Sequence, residues 1–346
     1  MPQLSVNLRA MQTFRKAIDW HNPRLWRIAI QWLFFGWCIF LGIQFGLFVR
    51  HFETMGQTAY YPRPPGVEGF LPIGALVSLK AWFFTGEIDP VHPAALVLFV
   101  TFLVMALLTK KSFCSFLCPV GTLSETAWKL GEKLFGRNLS IWPWLDLLLR
   151  GAKYVLLLFF VKLVLVDMPV LALQGFMAAP YWAIADVKML HFFTKMSLTS
   201  LSIIVVLTLL SVPFKNFWCR YLCPYGALLG LLSMLSPLKI TRRTSSCIDC
   251  GACSRACPAQ LDVQHKTRIH SPECTGCLTC VSNCPEDNTL SMAVWKRPLP
   301  GLVFVGVVLL LFGSGVMTGM LSGHWETILT YNDYQFLVPN ASRLGH

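Results

Sequence analysis

Charged residues are scarce in this sequence of 346 residues. Lys, Arg, Asp and Glu together make up 13% of the chain, whereas hydrophobic residues make up 55% of it. An ordinary soluble domain is about one quarter charged. A soluble core of this size could not bury so much apolar surface, so a single large soluble domain is excluded.

Several sequence signatures are also missing. No glycine-rich fingerprint follows a predicted strand, so a direct NAD site is not supported. No C-x-x-C-H motif is present, so any cytochrome must be a separate chain. No cleavable signal precedes the first apolar run, and we therefore expect that run to remain as a membrane anchor.

Long apolar runs dominate what is present. Five of them approach the length of about 20 residues that a transmembrane helix needs. They are residues 28–50, 92–109, 151–173, 197–214 and 299–321. A sixth run, 70–84, is shorter and contains Pro72 and Lys80, which favours an interfacial or re-entrant helix. The sequence therefore predicts a polytopic α-helical membrane protein with about five transmembrane helices.

The basic residues are unevenly distributed along the chain. Most of the 29 Lys and Arg residues lie in segments 1–27, 110–153 and 215–297. Under the positive-inside rule these segments face the cytoplasm. The N-terminus is then expected inside, with segment 51–91 and the tail 322–346 on the periplasmic side of a bacterial inner membrane. The net charge of +12 reflects this topology and not nucleic-acid binding.

The 13 cysteines are grouped, which favours metal binding over a disulfide framework. Two runs of C-x2-C-x2-C-x3-C-P stand in tandem between residues 247 and 285. They are the pattern of a bacterial two-cluster ferredoxin, in which the fourth cysteine of each run ligates the other cluster. One predicted [4Fe–4S] ligand set is Cys247, Cys250, Cys253 and Cys284; the other is Cys274, Cys277, Cys280 and Cys257.

This cysteine segment predicts an inserted α+β ferredoxin-like domain over residues 240–295. Three thiolates on a tight loop can hold three corners of an iron–sulfur cube, and Gly251 and Gly276 let the backbone turn close to it. The alternative is two structural zinc sites, which also use C-x2-C pairs. Zinc sites rarely repeat this spacing with Pro after the last thiol.

Four other cysteines belong to a duplicated motif. "KKSFCSFLCPVGTL" at 110–123 and "FKNFWCRYLCPYGAL" at 214–228 each follow an apolar run. The thiols are Cys114 and Cys118 in the first motif and Cys219 and Cys223 in the second. Together they could form a further iron–sulfur or soft-metal site. Each pair could also be a redox dithiol, or all four could simply pack beneath the ferredoxin domain.

The combination resembles the membrane polyferredoxins of the NapH/NosR/CcoG kind. The resemblance rests on the basic flank, the two C-x3-C-P motifs and the ferredoxin segment, with "RPPGVEGFLPIGALVSLK" and "TGEIDPVHPAAL" especially similar to its electron-transport branch. It implies electron transfer between the quinone pool and a separate redox partner, with the clusters on the cytoplasmic side. The sequence departs from the NosR type because it has no large flavin-binding domain.

A quinol site needs an aromatic wall and a proton acceptor. Segment 60–92 offers Glu68, Glu87, Asp89 and His92 beside aromatic side chains, namely Tyr60, Tyr61, Trp82, Phe83 and Phe84. An ordinary acidic loop is the alternative. A site near the inner face, close to Cys114 and Cys219, would avoid a long transfer across the membrane.

Two further features of the apolar runs suggest specific contacts between helices. Lys162 lies within an apolar run, so we expect it to face the bundle and to pair, for example with Asp167. Gly315, Gly319 and Gly323 are spaced for close helix packing, which suggests a helix from a partner subunit.

Three functions are compatible with these features. The first is an iron–sulfur electron-transfer subunit of the quinol dehydrogenase type. The second is a copper-type metal reductase or assembly factor for a respiratory enzyme, with the C-x3-C-P thiols binding the ion. The third is a non-catalytic redox sensor or scaffold.

Overall fold

The computed structural model describes residues 22–295 and 297–344. Most of the predicted basic segment 1–27, including Arg9, Arg15 and Lys16, lies outside the described residues. The first helices are α1 (Pro23–Glu53), α2 (Pro72–Thr85), α3 (Pro93–Thr109), α4 (Ser112–Phe116) and α5 (Pro119–Phe135). A 3-10 helix, Pro65–Phe70, precedes α2.

The middle of the chain is also helical. It contains α6 (Pro143–Val161), a π-helix (Lys162–Asp167), α7 (Val170–Met177), α8 (Pro180–Ala183), α9 (Ala185–Thr194), α10 (Leu198–Ser211), α11 (Phe217–Tyr221) and α12 (Pro224–Ser233). The remaining elements are β1 (Leu238–Arg242), α13 (Ala252–Arg255), α14 (Thr279–Ser282), β2 (Leu290–Val294), β3 (Arg297–Leu299), α15 (Gly301–Leu321) and α16 (Tyr331–Leu337).

Two helices in the described part of the chain, α1 and α15, are each long and apolar enough to cross a membrane. Two bent pairs could each form one more span: α6 and its π-helix with α7, bent by 102°, and α9 with α10, bent by 75°. The structure therefore has two to four candidate spans, where the sequence predicts about five. The predicted span 92–109 corresponds to α3, whose 17 residues are mostly buried among other helices.

The bend in the third predicted span, 151–173, has a local cause. The helix widens to a π-helix at Lys162–Asp167 and then stops, so its last carbonyl groups have no helical partner. The ammonium group of Lys80, on α2, lies 3.0 Å from the carbonyl oxygen of Val164 and 3.2 Å from that of Leu165, and it also contacts Met168 O. A buried lysine from another helix therefore caps the broken end.

The glycines of α15 pack inside the chain. A Cβ atom on Gly315 would collide with the side chain of Thr101, and one on Gly319 would lie 2.8 Å from Val97 Cγ1. Thr101 and Val97 both belong to α3. The close packing predicted from the glycine spacing is present, but its partner is α3 of the same chain, so a partner subunit at Gly315 and Gly319 is a wrong prediction. Gly323 follows the helix, and a Cβ atom there would meet nothing within 4 Å.

The cysteine-rich segment folds around a small antiparallel sheet in the order β1-β2-β3. Leu238 pairs with Val294, and Met292 pairs with Leu299. One hydrophobic cluster contains Phe102 of α3, Phe304 of α15, Ile240 of β1 and the buried thiol of Cys280. The sheet and the long helices thus share a core, which fixes the cysteine loops against the helical bundle.

Candidate metal centres

The first ferredoxin ligand set lies around one cavity. Cys247, Cys250, Cys253 and Cys284 all line it, so the fourth thiol comes from the second motif. Cys253 is buried, Cys247 and Cys284 are half-buried, and Cys250 is exposed. Gly251, in the left-handed region at φ +70°, allows the turn between the second and third of these thiols.

The second ligand set lies around a separate cavity. Cys274, Cys277, Cys280 and Cys257 line it together with apolar side chains of Ile240, Leu261, Val263, Ile269 and Leu278. All of these thiols except Cys277 are buried. Burial raises the pKa of the Cys257 thiol to about 12, so this thiol stays neutral at physiological pH unless a metal displaces its proton.

The charges beside the second cavity suit a cluster. The side chain of Lys110 is fully buried, and its Nζ has no hydrogen-bond partner among the described residues. The positive charge of Lys110 acts on the thiol of Cys274. A buried, unpaired ammonium group is costly. A cluster with four thiolate ligands carries negative charge, which would balance it, so these residues fit a [4Fe–4S] cluster.

The four C-x3-C-P thiols also meet. Cys114, Cys118, Cys219 and Cys223 line a third cavity of about 250 Å³, which we call the thiol cavity. Its wall includes Cys277 of the second ferredoxin set. In the described part of the chain no three His, Cys, Asp or Glu side chains converge as ligands of a single metal ion would. The thiols stand around cavities instead.

Local sequence explains this placement. In each motif the second cysteine is the N-cap of a helix that begins with Pro: Cys118 before α5 and Cys223 before α12. The amide of Gly226 donates to Cys223 Sγ at 3.2 Å. Gly121 passes so close to the carbonyl oxygen of Cys114 that a Cβ atom there would collide with it. Gly121 of the first motif is thus a packing requirement, whereas a Cβ atom on the equivalent Gly226 would make only ordinary contacts, the nearest at 3.5 Å.

Polar contacts tie these turns to the ferredoxin loops. Ser115 Oγ donates to the Thr275 carbonyl at 2.9 Å, and Lys215 Nζ donates to the Arg255 carbonyl at 3.1 Å. Asn216 Nδ2 donates to the Pro258 carbonyl at 3.3 Å. The third cavity is therefore held against the second.

A fourth, apolar cavity of about 430 Å³ lies between α1, α15 and segment 62–70. Its lining is largely aromatic and aliphatic, and Gln44 and Arg63 are its polar members. It shares four lining residues with the third cavity, namely Gly69, Phe70, Phe113 and Pro119. Phe113 directly precedes the first C-x3-C-P motif, and Pro119 is its last residue. Sequence reasoning missed this cavity because its walls come from segments far apart in the chain.

The predicted acidic quinol residues have other contacts. Asp89 is buried and accepts hydrogen bonds from Trp182 Nε1 at 2.9 Å and Ser78 Oγ at 3.3 Å. Buried His92 contacts the Trp182 carbonyl through Nε2 at 2.8 Å. These bonds fasten the loop to α8, whereas Glu87 is exposed.

The predicted aromatic wall is not assembled either. Trp82, Phe83 and Phe84 point outward from α2, with 41%, 81% and 61% of their surface exposed. Tyr60 instead packs on His51 and Phe52. Exposed aromatic side chains of this kind suit a membrane interface.

Lys162 pairs with Asp167 at 2.6 Å, as anticipated. Its side chain is 64% exposed, so it does not face the bundle interior. Lys80 fills the buried position instead. The only sequence signal for this role is weak: a lone Lys stands in an otherwise apolar run.

The helical bundle with its cysteine-lined cavities defines a polyferredoxin. The model of a 4Fe-4S binding domain matches residues 91–138 and 196–243, and that of a 4Fe-4S dicluster domain matches residues 239–285. The first model covers both C-x3-C-P motifs. These matches confirm the prediction of iron–sulfur binding.

Relatives extend over nearly the whole chain. "Putative electron transport protein YccM" of Escherichia coli is 44% identical over 335 residues, covering 95% of this chain and 94% of that protein. "Ferredoxin-type protein NapH" of Escherichia coli is 27% identical over 53% of this chain and 62% of NapH. "Protein NirI" of Paracoccus denitrificans is 29% identical over 49% of this chain and 24% of NirI. No solved structure matches.

The chain therefore belongs to the YccM-like family of ferredoxin-type proteins. The resemblance inferred from the cysteine motifs is confirmed.

Proposed function

We propose that this protein transfers electrons between membrane quinone and a separate redox partner, with clusters held by the eight ferredoxin cysteines. The name of the relative YccM, an electron transport protein, is consistent with this role. The observation that carries the proposal is the continuity of the apolar cavity, the thiol cavity and the second ferredoxin cavity.

The cavities adjoin in a fixed order. The apolar cavity shares Phe113 and Pro119 with the thiol cavity, and the thiol cavity shares Cys277 and Thr275 with the second ferredoxin cavity. Clusters bound at the cysteines supply one-electron carriers. The protein's residues provide an apolar slot at one end and the exposed Cys250 at the other, where a soluble partner could approach.

The apolar cavity suits a quinone. Pockets of about 300–1,000 Å³ with mostly apolar walls and a few polar groups are typical of small-molecule sites. Phe34, Trp37 and Phe312 can contact a ring, and Gln44 and Arg63 supply the polar end. A site in this cavity also avoids the long electron transfer across the membrane that a site in the acidic loop would need. The cavity itself reaches from segment 62–66 to the first C-x3-C-P motif.

Oxidation of a quinol releases two protons with its two electrons, so the site needs a proton acceptor. Arg63, in the cavity wall, contacts Glu68 at 2.7 Å and Asp186 at 2.7 Å. His92 Nδ1 lies 3.4 Å from Glu68. Because His92 Nε2 faces a carbonyl and must donate its proton there, Nδ1 is the atom free to accept one. This buried group gives protons a route away from the cavity.

A cavity-filling variant tests the proposal. Val316 lines the cavity from α15, and its neighbour Met317 is 53% exposed and points away. The full-length protein in nanodiscs would be reduced with a viologen and mixed with decylubiquinone, and reoxidation would be followed by visible absorption. We expect Val316→Trp to slow reoxidation at least tenfold, whereas the matched control Met317→Trp should match the unmodified protein.

Oxidation by ferricyanide, which does not need the cavity, should proceed equally in all three proteins. Equal quinone rates in Val316→Trp and the unmodified protein would reject the cavity as the quinone site. A viologen-treated protein without any cluster absorption would reject the whole proposal.

A further inference from the structure

The duplicated C-x3-C-P motifs place four thiols around one cavity. Cys114 and Cys118 lie on α4 and at the start of α5, and Cys219 and Cys223 lie on α11 and at the start of α12. Cys114 and Cys219 occupy equivalent positions in short helices, and Cys118 and Cys223 equivalent N-caps. Each half of the chain thus contributes two thiols to a site that neither half could form alone.

Thiols that only fill space in the core would not need buried positive charges beside them. Lys111 and Lys153 are buried beside the cavity, with 4% and 0% of their surface exposed. The only carboxylate that an ion pair joins to both, among the described residues, is Glu273, at 3.8 Å from Lys111 and 2.6 Å from Lys153. Two buried positive charges therefore face one negative charge. The excess positive charge lies close to the thiols, since Lys111 acts electrostatically on Cys114.

Arg220 adds to this imbalance. It lines the same cavity and pairs with Asp146 at 2.9 Å, but Asp146 is also paired with Arg150 at 2.9 Å. Glu125 also lines the cavity, but it is paired with Arg27 at 2.7 Å and with Lys129 at 2.6 Å. When the ion-pair partners are counted, positive side chains around the cavity outnumber negative ones. A buried site of this kind requires a negatively charged occupant.

The size of the cavity favours a cluster of several metal ions over a single ion. A single zinc ion draws four sulfur atoms to about 2.3 Å, which leaves no cavity between them. Here the four thiols line a cavity of about 250 Å³ together with neighbouring side chains, and in the described part of the chain no three of them converge on one point. A multi-iron cluster with sulfide fills such a space, and with four thiolate ligands it carries the negative charge that the lysines require.

We propose that Cys114, Cys118, Cys219 and Cys223 hold a third [4Fe–4S] cluster, positioned between the apolar cavity and the second ferredoxin cluster. The site extends the proposed function by giving the apolar cavity an adjacent electron carrier. It does not depend on quinone as the substrate.

Metal analysis of the full-length protein tests this inference. After anaerobic purification and reconstitution with iron and sulfide, three clusters give about 12 irons and about 12 labile sulfides per chain. The double variant Cys114→Ser/Cys219→Ser should retain about 8 of each. The matched control Cys38→Ser removes a thiol of α1 outside the three ligand sets and should retain about 12.

The single variant Cys118→Ala provides a second test if the double variant does not fold. Loss of one ligand should convert part of the iron into a three-iron cluster with its own electron paramagnetic resonance signal, absent from Cys38→Ser. About 8 irons in the unmodified protein, unchanged in the double variant, would overturn the inference. So would stoichiometric copper or zinc that the double variant loses, and that result would favour the metal-reductase function.

These outcomes are separable from failure of the proposed function. A protein with about 12 irons whose clusters quinone cannot reoxidise would retain the third cluster and lose the quinone role. A protein with 8 irons that quinone does reoxidise would do the reverse.

Discussion

Lys153 Nζ lies 2.6 Å from Glu273 Oε1, with the lysine fully buried. The pair joins α6 to the loop just before Cys274, so it connects the helical bundle to the cysteine segment beside the thiol cavity. The positive charge of Lys153 and the negative charge of Glu273 would shift the midpoint potential of a nearby cluster in opposite directions.

The charge pair leads to the first prediction. Lys153→Met removes a positive charge and should lower the midpoint potential of the adjacent cluster, because the more negative reduced form loses a favourable interaction. Glu273→Gln should raise that potential. Redox titration followed by electron paramagnetic resonance measures both. Shifts of the same sign in the two variants would show that packing, and not charge, governs the change. Glu273 keeps Lys111 as an ion-pair partner at 3.8 Å in Lys153→Met, so this variant should lose less stability than the about 3–5 kcal/mol that an unpaired buried charge costs.

The crossed ligand sets make a second prediction. Cys257→Ala should remove the same cluster as Cys277→Ala, and Cys284→Ala should remove the same cluster as Cys250→Ala, because each pair lines one cavity. Each variant should lose about 1 to 4 irons per chain, depending on whether a three-iron cluster remains at the altered site. Comparison of the remaining resonance spectra identifies the cluster that is lost. Spectra that group Cys257→Ala with Cys250→Ala would reject the crossed assignment.

Gly121 makes a third prediction. Any side chain there meets the carbonyl oxygen of Cys114, so Gly121→Ala should force the turn open and lower stability by about 1–3 kcal/mol. Iron bound by the C-x3-C-P thiols should fall while the ferredoxin clusters remain. Gly151→Ala is the control, since nothing lies within 4 Å of its Cβ position on α6 and alanine favours a helix. Thermal unfolding in detergent and iron analysis measure the difference; equal behaviour of the two variants would contradict the close approach.

Two lysines of the bundle make a fourth prediction. Lys80→Met leaves the carbonyl groups of Val164, Leu165 and Met168 without their ammonium partner and should cost about 3 kcal/mol or more, since each buried unsatisfied group costs about 1–3 kcal/mol. Lys162→Met removes only an exposed pair and should change stability by less than about 1 kcal/mol. Thermal unfolding in the same detergent compares the two variants. A larger loss of stability for Lys162→Met than for Lys80→Met would contradict the capping role of Lys80.

The sequence predicted those features that depend on short spacing. The ferredoxin ligand pattern is local, and the two cavities group the same thiols that the pattern pairs. The repeat of C-x3-C-P indicated that two distant motifs would meet, although packing, dithiol and metal roles remained open. The helix expected at 70–84 lies at Pro72–Thr85.

The features that sequence reasoning missed depend on contacts between distant residues. Nothing local to Lys80 indicates that it caps carbonyl groups more than 80 residues away. Asp89 looked available for proton transfer because its hydrogen bond comes from Trp182, which lies far along the chain. The same distance in sequence hid the contact between His92 Nε2 and the Trp182 carbonyl. The apolar cavity is invisible for the same reason, since α1, α15 and segment 62–70 each contribute only part of its wall.

The division of the four C-x3-C-P thiols between the two halves of the chain constrains biogenesis. A nascent polypeptide that ends before Cys219 carries only half of the ligands, and the N-cap geometry of Cys223 exists only once α12 has formed. A metal held by all four thiols can therefore be bound only after translation has passed Cys223. Full ligation of that metal would then report that the two halves of the chain have come together.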